Sequence, residues 1–337
     1  MPQETKDRIL GAFYGQALGD AFGMPSELWP RSRVIQHFGW IDSFLDGPQE
    51  NDAAKYFKAA EFTDDTSMAI ALADSIIECG GRVDTTVIAG RILAWAESFD
   101  AFNKNVLGPT SKVALMAIKA GQPVADLPNL GMTNGAAMRV MPMGCLLPTA
   151  SFDDFYAEIA AACAPTHKSD VAIAGAVVIA WAISKAVDGQ AWLDVVHTLP
   201  DVARQAQLRN VNTFSASLGA RVELALSVVK EERDVKEASA RIYDLVGAGT
   251  SAIESVPAAI AMADLAGLDP NRCAVLCANL GGDTDTIGAM ATAICGADSG
   301  VGGFDKESLQ QLNDANKFNF ESYAEEFLQF RSARSSK

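Results

Sequence analysis

Apolar positions along the 337-residue chain recur with helical spacing, and sustained two-residue alternation is hard to find. The first long run, KDRILGAFYGQALGDAFG at 6–23, places Ile9, Phe13, Ala17 and Ala21 four apart on one face. Gly11, Gly15 and Gly19 also step by four, which predicts a stripe that admits another backbone at close range. Further helices are predicted near 64–79, 84–99, 110–120, 134–147, 152–163, 169–187, 213–230, 234–246, 252–266, 270–280 and 284–296. Turn signals such as CGGR, KAGQP and VDGQ separate these runs. The stretch from Leu28 to Glu61, with Trp29, Pro30, Trp40, Gly47 and Pro48, is the least helical and is predicted to be an irregular flap. The pattern predicts an all-α fold: one compact many-helix domain over 1–330, with 331–337 (RSARSSK) as a disordered tail.

Composition narrows the function classes. Hydrophobic residues make up 49% and charged residues 20%, a globular balance. Forty-two acidic against 27 basic residues give a net charge of −15, the wrong sign for neutralising phosphates, so no nucleic acid is expected as a partner. The apolar stretch VAIAGAVVIAWAI covers only 171–183, short of the roughly 18–20 residues that span a bilayer. It predicts a helix buried in protein, and no membrane partner. The opening MPQETKDRIL is charged within its first eight residues and has no apolar leader core, so a cytoplasmic location is expected. The six cysteines sit in Ala-rich surroundings and are expected to be small buried hydrophobes. With only His37, His167 and His197 present, oxygen atoms would have to carry any metal site.

Two stretches offer such atoms. In FTDDTS, Thr63, Asp64, Asp65 and Thr66 crowd the entrance to a predicted helix; in GGDTDT, Asp283, Asp285 and Thr286 do the same before another. One capping oxygen per helix start explains part of this. It leaves the second carboxylate of each block unexplained. Helix N-termini carry about half a positive charge, but four carboxylates brought together still repel strongly unless a cation lies among them. The pair of blocks therefore points to a hard-cation site. Asp20 and Glu27, in ALGDAFGMPSELW, offer further carboxylates.

These blocks together resemble the ADP-ribosylglycohydrolase family. The resemblance lies in GDAFGMPSE, FTDDTSMA, GMTNGAAMRVMPMG, THKSD and NLGGDTDTIGAMA, which occur in the family's order from residue 11 to about 297. It implies an all-α fold with a dimetal centre, two divalent cations (Mg2+ or Mn2+), at the base of a cleft. By position, Thr63, Asp64 and Asp65 match one ligand set, and Asp283, Asp285 and Thr286 the other, with Asp285 as the natural bridge. Glu27 matches a glutamate beside the metals, and either Glu27 or Asp283 would handle the proton. Gly131, Asn134 and Gly135 match a turn that approaches ribose and phosphates, where Arg139 would either help the anion or form a structural ion pair. His167 matches a histidine near the ligand, although Asp170 stands where the family often has proline.

The implied activity is metal-dependent hydrolysis at the anomeric carbon of an ADP-ribosyl group. The implied partner is an ADP-ribose-containing small molecule or an ADP-ribosylated protein. The alternatives are a hydrolase of a simpler nucleoside or N-riboside, and a non-catalytic ADP-ribose-binding or structural protein. The net charge of −15 fits a free metabolite at least as well as an acidic protein substrate.

Overall fold

The computed structural model describes residues 2–104, 106–210 and 213–335. Along the first half run α1 (Pro2–Gly23), α2 (Arg31–Phe38), α3 (Asp64–Glu78), α4 (Thr85–Ser98), α5 (Ala101–Lys104), α6 (Pro109–Lys119), α7 (Met141–Leu146), α8 (Phe152–Cys163) and α9 (Asp170–Val187). The second half holds α10 (Trp192–Val196), α11 (Leu199–Gln207), α12 (Leu218–Glu231), α13 (Val235–Leu245), α14 (Ala252–Leu265), α15 (Pro270–Ala278), α16 (Thr284–Ser299), α17 (Lys306–Asn316) and α18 (Glu321–Ser335). No strand occurs among the described residues; two isolated bridges, Trp29 with Gly282 and Thr133 with Ser251, tie loops together. The fold is all-α, as the periodicity predicts.

The centre of the molecule is the pairing of α1 with α16, the first and third-last helices of the chain. A Cβ placed on Gly11, Gly15, Gly19 or Gly23 would collide with the backbone carbonyl of Gly296, Thr292, Gly288 or Thr284 in turn. Gly288 and Gly296 meet the backbone of Gly19 and Gly11 in the same way. The four-residue glycine stripe thus carries the approach expected of it, and it fixes where α16 begins.

Helix α9 is apolar on every side and is surrounded by α7, α8, α11, α14 and α16. It runs 18 residues, Asp170–Val187, close to the predicted 169–187; beyond its 13-residue apolar stretch it is long and apolar enough to cross a membrane, but 94% of it is buried inside the protein. It is a core helix. The six cysteines are free, five of them buried and Cys79 half-buried, in keeping with small apolar packing.

Several predicted boundaries move. In the flap, Arg31–Phe38 is helical, started after Pro30, whereas 39–61 is mostly turns and loop. The helix expected over 134–147 exists only as α7, which begins beside Pro142; the preceding residues form a turn closed by Met138 N–H donating to Asn134 O. The helix expected over 213–230 starts at Leu218, capped by Ser217 Oγ. The tail expected to be disordered is helical through Ser335, because Arg331 is buried and donates to the carbonyls of Gly144, Cys145, Leu147 and Ser184 and to Asp188. Ser336 and Lys337 lie outside the described residues.

Candidate metal centre

The glycine seam delivers the start of α16 to the middle of the fold. Just before it, Gly281 and Gly282 take φ of 86° and 82°, and a Cβ on either would strike the backbone of Arg31 or Ala248. Leu28 N–H donates to Gly282 O (2.7 Å), Gly282 N–H to Trp29 O (2.8 Å), and Asp283 N–H to Ala248 O (2.7 Å). The same pairing holds Glu27, the residue before Leu28, opposite the GGDTDT loop. From the flap, Asn51 Nδ2 donates to Glu27 O at 2.9 Å.

The start of α3 is held differently. Thr63 is the N-cap residue, yet its side chain makes no capping bond to the backbone N–H groups of its own helix. The cap comes from Asp20 on α1, which accepts from Thr63 N (3.0 Å), Thr63 Oγ1 (2.9 Å), Thr66 N (2.9 Å) and Thr66 Oγ1 (2.6 Å).

The two helix starts meet. Carboxylate oxygens of Asp20, Asp65 and Asp285 lie within 4.8 Å of one another, and so do those of Glu27, Asp283 and Asp285. Asp285 belongs to both groups. Thr286 Oγ1 donates to Asp65 Oδ1 at 3.0 Å, and Thr63 Oγ1 lies 3.3 Å from Asp65 Oδ2 and 3.5 Å from Asp285 Oδ2. Burial, then mutual repulsion, pushes Glu27, Asp65 and Asp285 well above the carboxylate range. Burial lifts Asp283 to about 6, against the hydrogen bonds it accepts from Asn134 and Thr286. Asp64 is raised to about 8 by burial and by the Asp20 charge. Asp285 Oδ1 is buried and has no hydrogen-bond partner. An orphaned acceptor inside a cluster of anions fits a divalent cation, and an all-oxygen donor set fits a hard one.

Above this centre lies a cleft of 210 Å³. Glu27, Asp64, Asp65, Asp283, Asp285 and Thr286 line its base, and Asn134 and Gly135 its wall. Asp64 borders the cleft but stands outside both carboxylate groups. A wider groove of 760 Å³ beside α8 and α18 contains the Arg334–Glu158 pair but no such cluster.

Of the remaining predicted site residues, Asn134 donates from Nδ2 to Asp283 Oδ2 and to Ser255 Oγ, so its amide serves the carboxylate cluster. Gly131 lies away from the cleft, its carbonyl accepting from Ser169 Oγ at 2.8 Å. His167 is fully buried behind the turn, with Nε2 2.8 Å from Thr133 Oγ1 and Nδ1 2.8 Å from Thr166 Oγ1. Burial, with the Arg139 charge, pushes its pKa down to about 3, so it is neutral. Arg139 is neither an anion contact nor an ion pair: its guanidinium is buried and donates to Gly135 O, Thr166 Oγ1 and Cys163 O. Ser111 and Thr133, which also line the cleft, carry no sequence signal of their own.

Helical layers around two carboxylate triplets that share one aspartate define a class of all-α proteins equipped to hold divalent cations. The chain belongs to the ADP-ribosylglycohydrolase family, whose profile matches residues 1–336. This family acts on ADP-ribose linkages and generally uses divalent metals. The chain is 62% identical over 328 residues to uncharacterized protein YegU of Escherichia coli (strain K12), covering 97% of this chain and 98% of the relative. It is 26% identical over 316 residues to the ADP-ribosyl-[dinitrogen reductase] glycohydrolase of Rhodospirillum rubrum, covering 91% and 90%. A solved structure titled ADP-ribosylglycohydrolase-related protein complex superposes with a TM-score of 0.70 at 25% identity, covering 98% of this chain and 99% of that one.

Proposed function

We propose that this protein is a hydrolase that uses two divalent cations, Mg2+ or Mn2+, to cleave the glycosidic bond at the anomeric carbon of an ADP-ribosyl group. The observation that carries the reading is the pair of carboxylate triplets joined through Asp285, with Asp285 Oδ1 left without a partner. Thr63, Asp65 and Asp285 would hold one ion, and Asp283, Asp285 and Thr286 the other. Asp64, at the same cleft base, completes the share contributed by α3. When bound, such ions orient ribose hydroxyls and lower the pKa of water.

The protein's own groups do the rest. Glu27 is the half-buried member of its triplet, which leaves it open to exchange a proton with substrate or water. Asp283 is oriented by Asn134 and shares that duty. Both face the carbon where positive charge grows in an oxocarbenium-like transition state. Gly135 lets the sugar and phosphates come close, and a Cβ there would reach within 2.9 Å of His167 Cε1. His167 and Gly131 shape that turn from behind rather than touching the ligand.

The named Rhodospirillum relative acts on a modified protein, which supports a protein-linked substrate. The size of the cleft supports a second reading. At 210 Å³ it falls below the roughly 300–1,000 Å³ of ordinary small-molecule sites, small for a whole ADP-ribose. A simpler N-riboside or nucleoside fits that space. Both readings are compatible with a cytoplasmic protein.

The test is turnover of ADP-ribosyl-arginine and ADP-ribosyl-serine peptides, O-acetyl-ADP-ribose and a nucleoside panel, each with Mg2+, Mn2+ or EDTA, with products read by mass spectrometry. Metal-dependent release of ADP-ribose is the expected result. Free ribose from a nucleoside would move the substrate to the second reading. Tight ADP-ribose binding with no turnover would leave a binding protein.

A further inference from the structure

We propose that Asp20 is the positioning residue of the α3 half of the centre, a carboxylate kept out of the ligand set whose role is to aim the Thr63 hydroxyl at the first cation. The inference rests on the two-cation reading above.

Asp20 is fully buried on α1, one residue after Gly19 of the glycine seam. A carboxylate offers about four lone-pair sites. Asp20 spends them on two N–H and two O–H donors, those of Thr63 and Thr66. Only an ionised carboxylate fits, since a carboxyl proton would face donors. No lone pair is left for a cation, although Asp20 lies as close to Asp65 and Asp285 as a ligand would.

The consequence falls on Thr63. A hydroxyl has one hydrogen, and the nearest acceptor, at 2.9 Å, is Asp20 Oδ1. The other two carboxylate oxygens near Thr63 Oγ1, on Asp65 at 3.3 Å and Asp285 at 3.5 Å, therefore face its lone pairs and not its hydrogen. Three oxygens so arranged repel one another until a cation enters. Asp20 also answers the positive end of α3 from outside the cleft, by accepting from the N–H groups of Thr63 and Thr66.

The experiment is titration of metal-free protein with Mn2+ by calorimetry, with stoichiometry checked by elemental analysis and folding by circular dichroism in EDTA. An amide at this position puts N–H groups against donors, so D20N is expected to bind two ions still, the first about 10–100-fold more weakly. D65N, which removes a ligand charge, serves as the contrast and is expected to retain one ion. Unchanged affinity in D20N overturns the inference. So does a stoichiometry of one in D20N, which would make Asp20 a ligand. Should D20N not fold, T66V removes one of the four donors and keeps the charge; several-fold weaker binding supports the inference and wild-type affinity overturns it. Wild-type protein that binds no Mn2+ overturns the two-cation reading along with it, whereas two ions in wild type and an unaltered D20N sink this inference alone.

Discussion

The two halves of the carboxylate centre are put in place by different physics. The α16 half, with Asp283, Asp285 and Thr286, rides on a helix packed backbone to backbone against α1 through Gly11, Gly15, Gly19 and Gly23. The α3 half, with Thr63, Asp64 and Asp65, is hung on four hydrogen bonds from one buried carboxylate, Asp20. Close packing is short-ranged and leaves no slack. A hydrogen-bonded cap is directional but can be loosened one donor at a time. The centre combines a fixed wall with an adjustable one.

The hardest blow to that arrangement is G19A. Its new methyl would overlap the Gly288 carbonyl, which cannot move without shifting α16. We expect a loss of about 3 kcal/mol or more, seen as a lower melting temperature or as insoluble protein; a wild-type melt would mean that the seam has slack after all. Next comes D283N, expected to lower kcat by about 10²–10⁴-fold with the fold intact. Activity within about tenfold of wild type would remove Asp283 from the chemistry.

Metal removal tests the charge side of the comparison. In metal-free protein, Asp283 is raised to about 6 and Asp64 to about 8, both above the ordinary 3.8. Between about pH 4 and 8 the folded state then holds protons that the unfolded chain has released. Stability is full below about 4 and falls as pH rises through 6 and 8. His167 acts on the acid side: lowered from 6.5 to about 3, it makes the unfolded chain the better proton binder, so stability falls as pH drops through that window. Thermal melts in EDTA should decline from about pH 6 towards 8, and Mg2+ or Mn2+ should remove that decline. A slope indifferent to metal would break the link between the cluster and its cations.

The smallest effect is the control. Gly90, inside α4, has nothing within 4 Å of where a Cβ would sit. G90A is expected to add about 0.5–1 kcal/mol by helix propensity, raising the melting temperature. A glycine in the open thus responds with the opposite sign to one in the seam.

The elements that were legible and those that were not differ in kind. The long helices show in the chain because their apolar period is local. Helices α11, α17 and α18 were not anticipated, since α17 and α18 are strongly polar and α11 is short. The turn at 134–140 reads as helix by composition, but Asn134 and Arg139 are committed to Asp283, Gly135 O and Thr166 instead. Asp20 was visible only as one more carboxylate. Its position directly behind a seam glycine was the available signal.

By itself, the sequence determined that this is an all-helical, acidic protein with two Asp/Thr blocks at helix starts, because period, charge and capping chemistry are set within a few residues. Only the tertiary structure decided that Asp20 joins Asp65 and Asp285 in one carboxylate group, that it caps a helix it does not belong to, and that His167 stands behind the cleft. Those outcomes depend on which backbones can touch, over separations that run from 261 residues (Gly23 to Thr284) to 285 (Gly11 to Gly296) between α1 and α16. Steric contact across such distances has no local trace in the chain beyond the glycines that permit it.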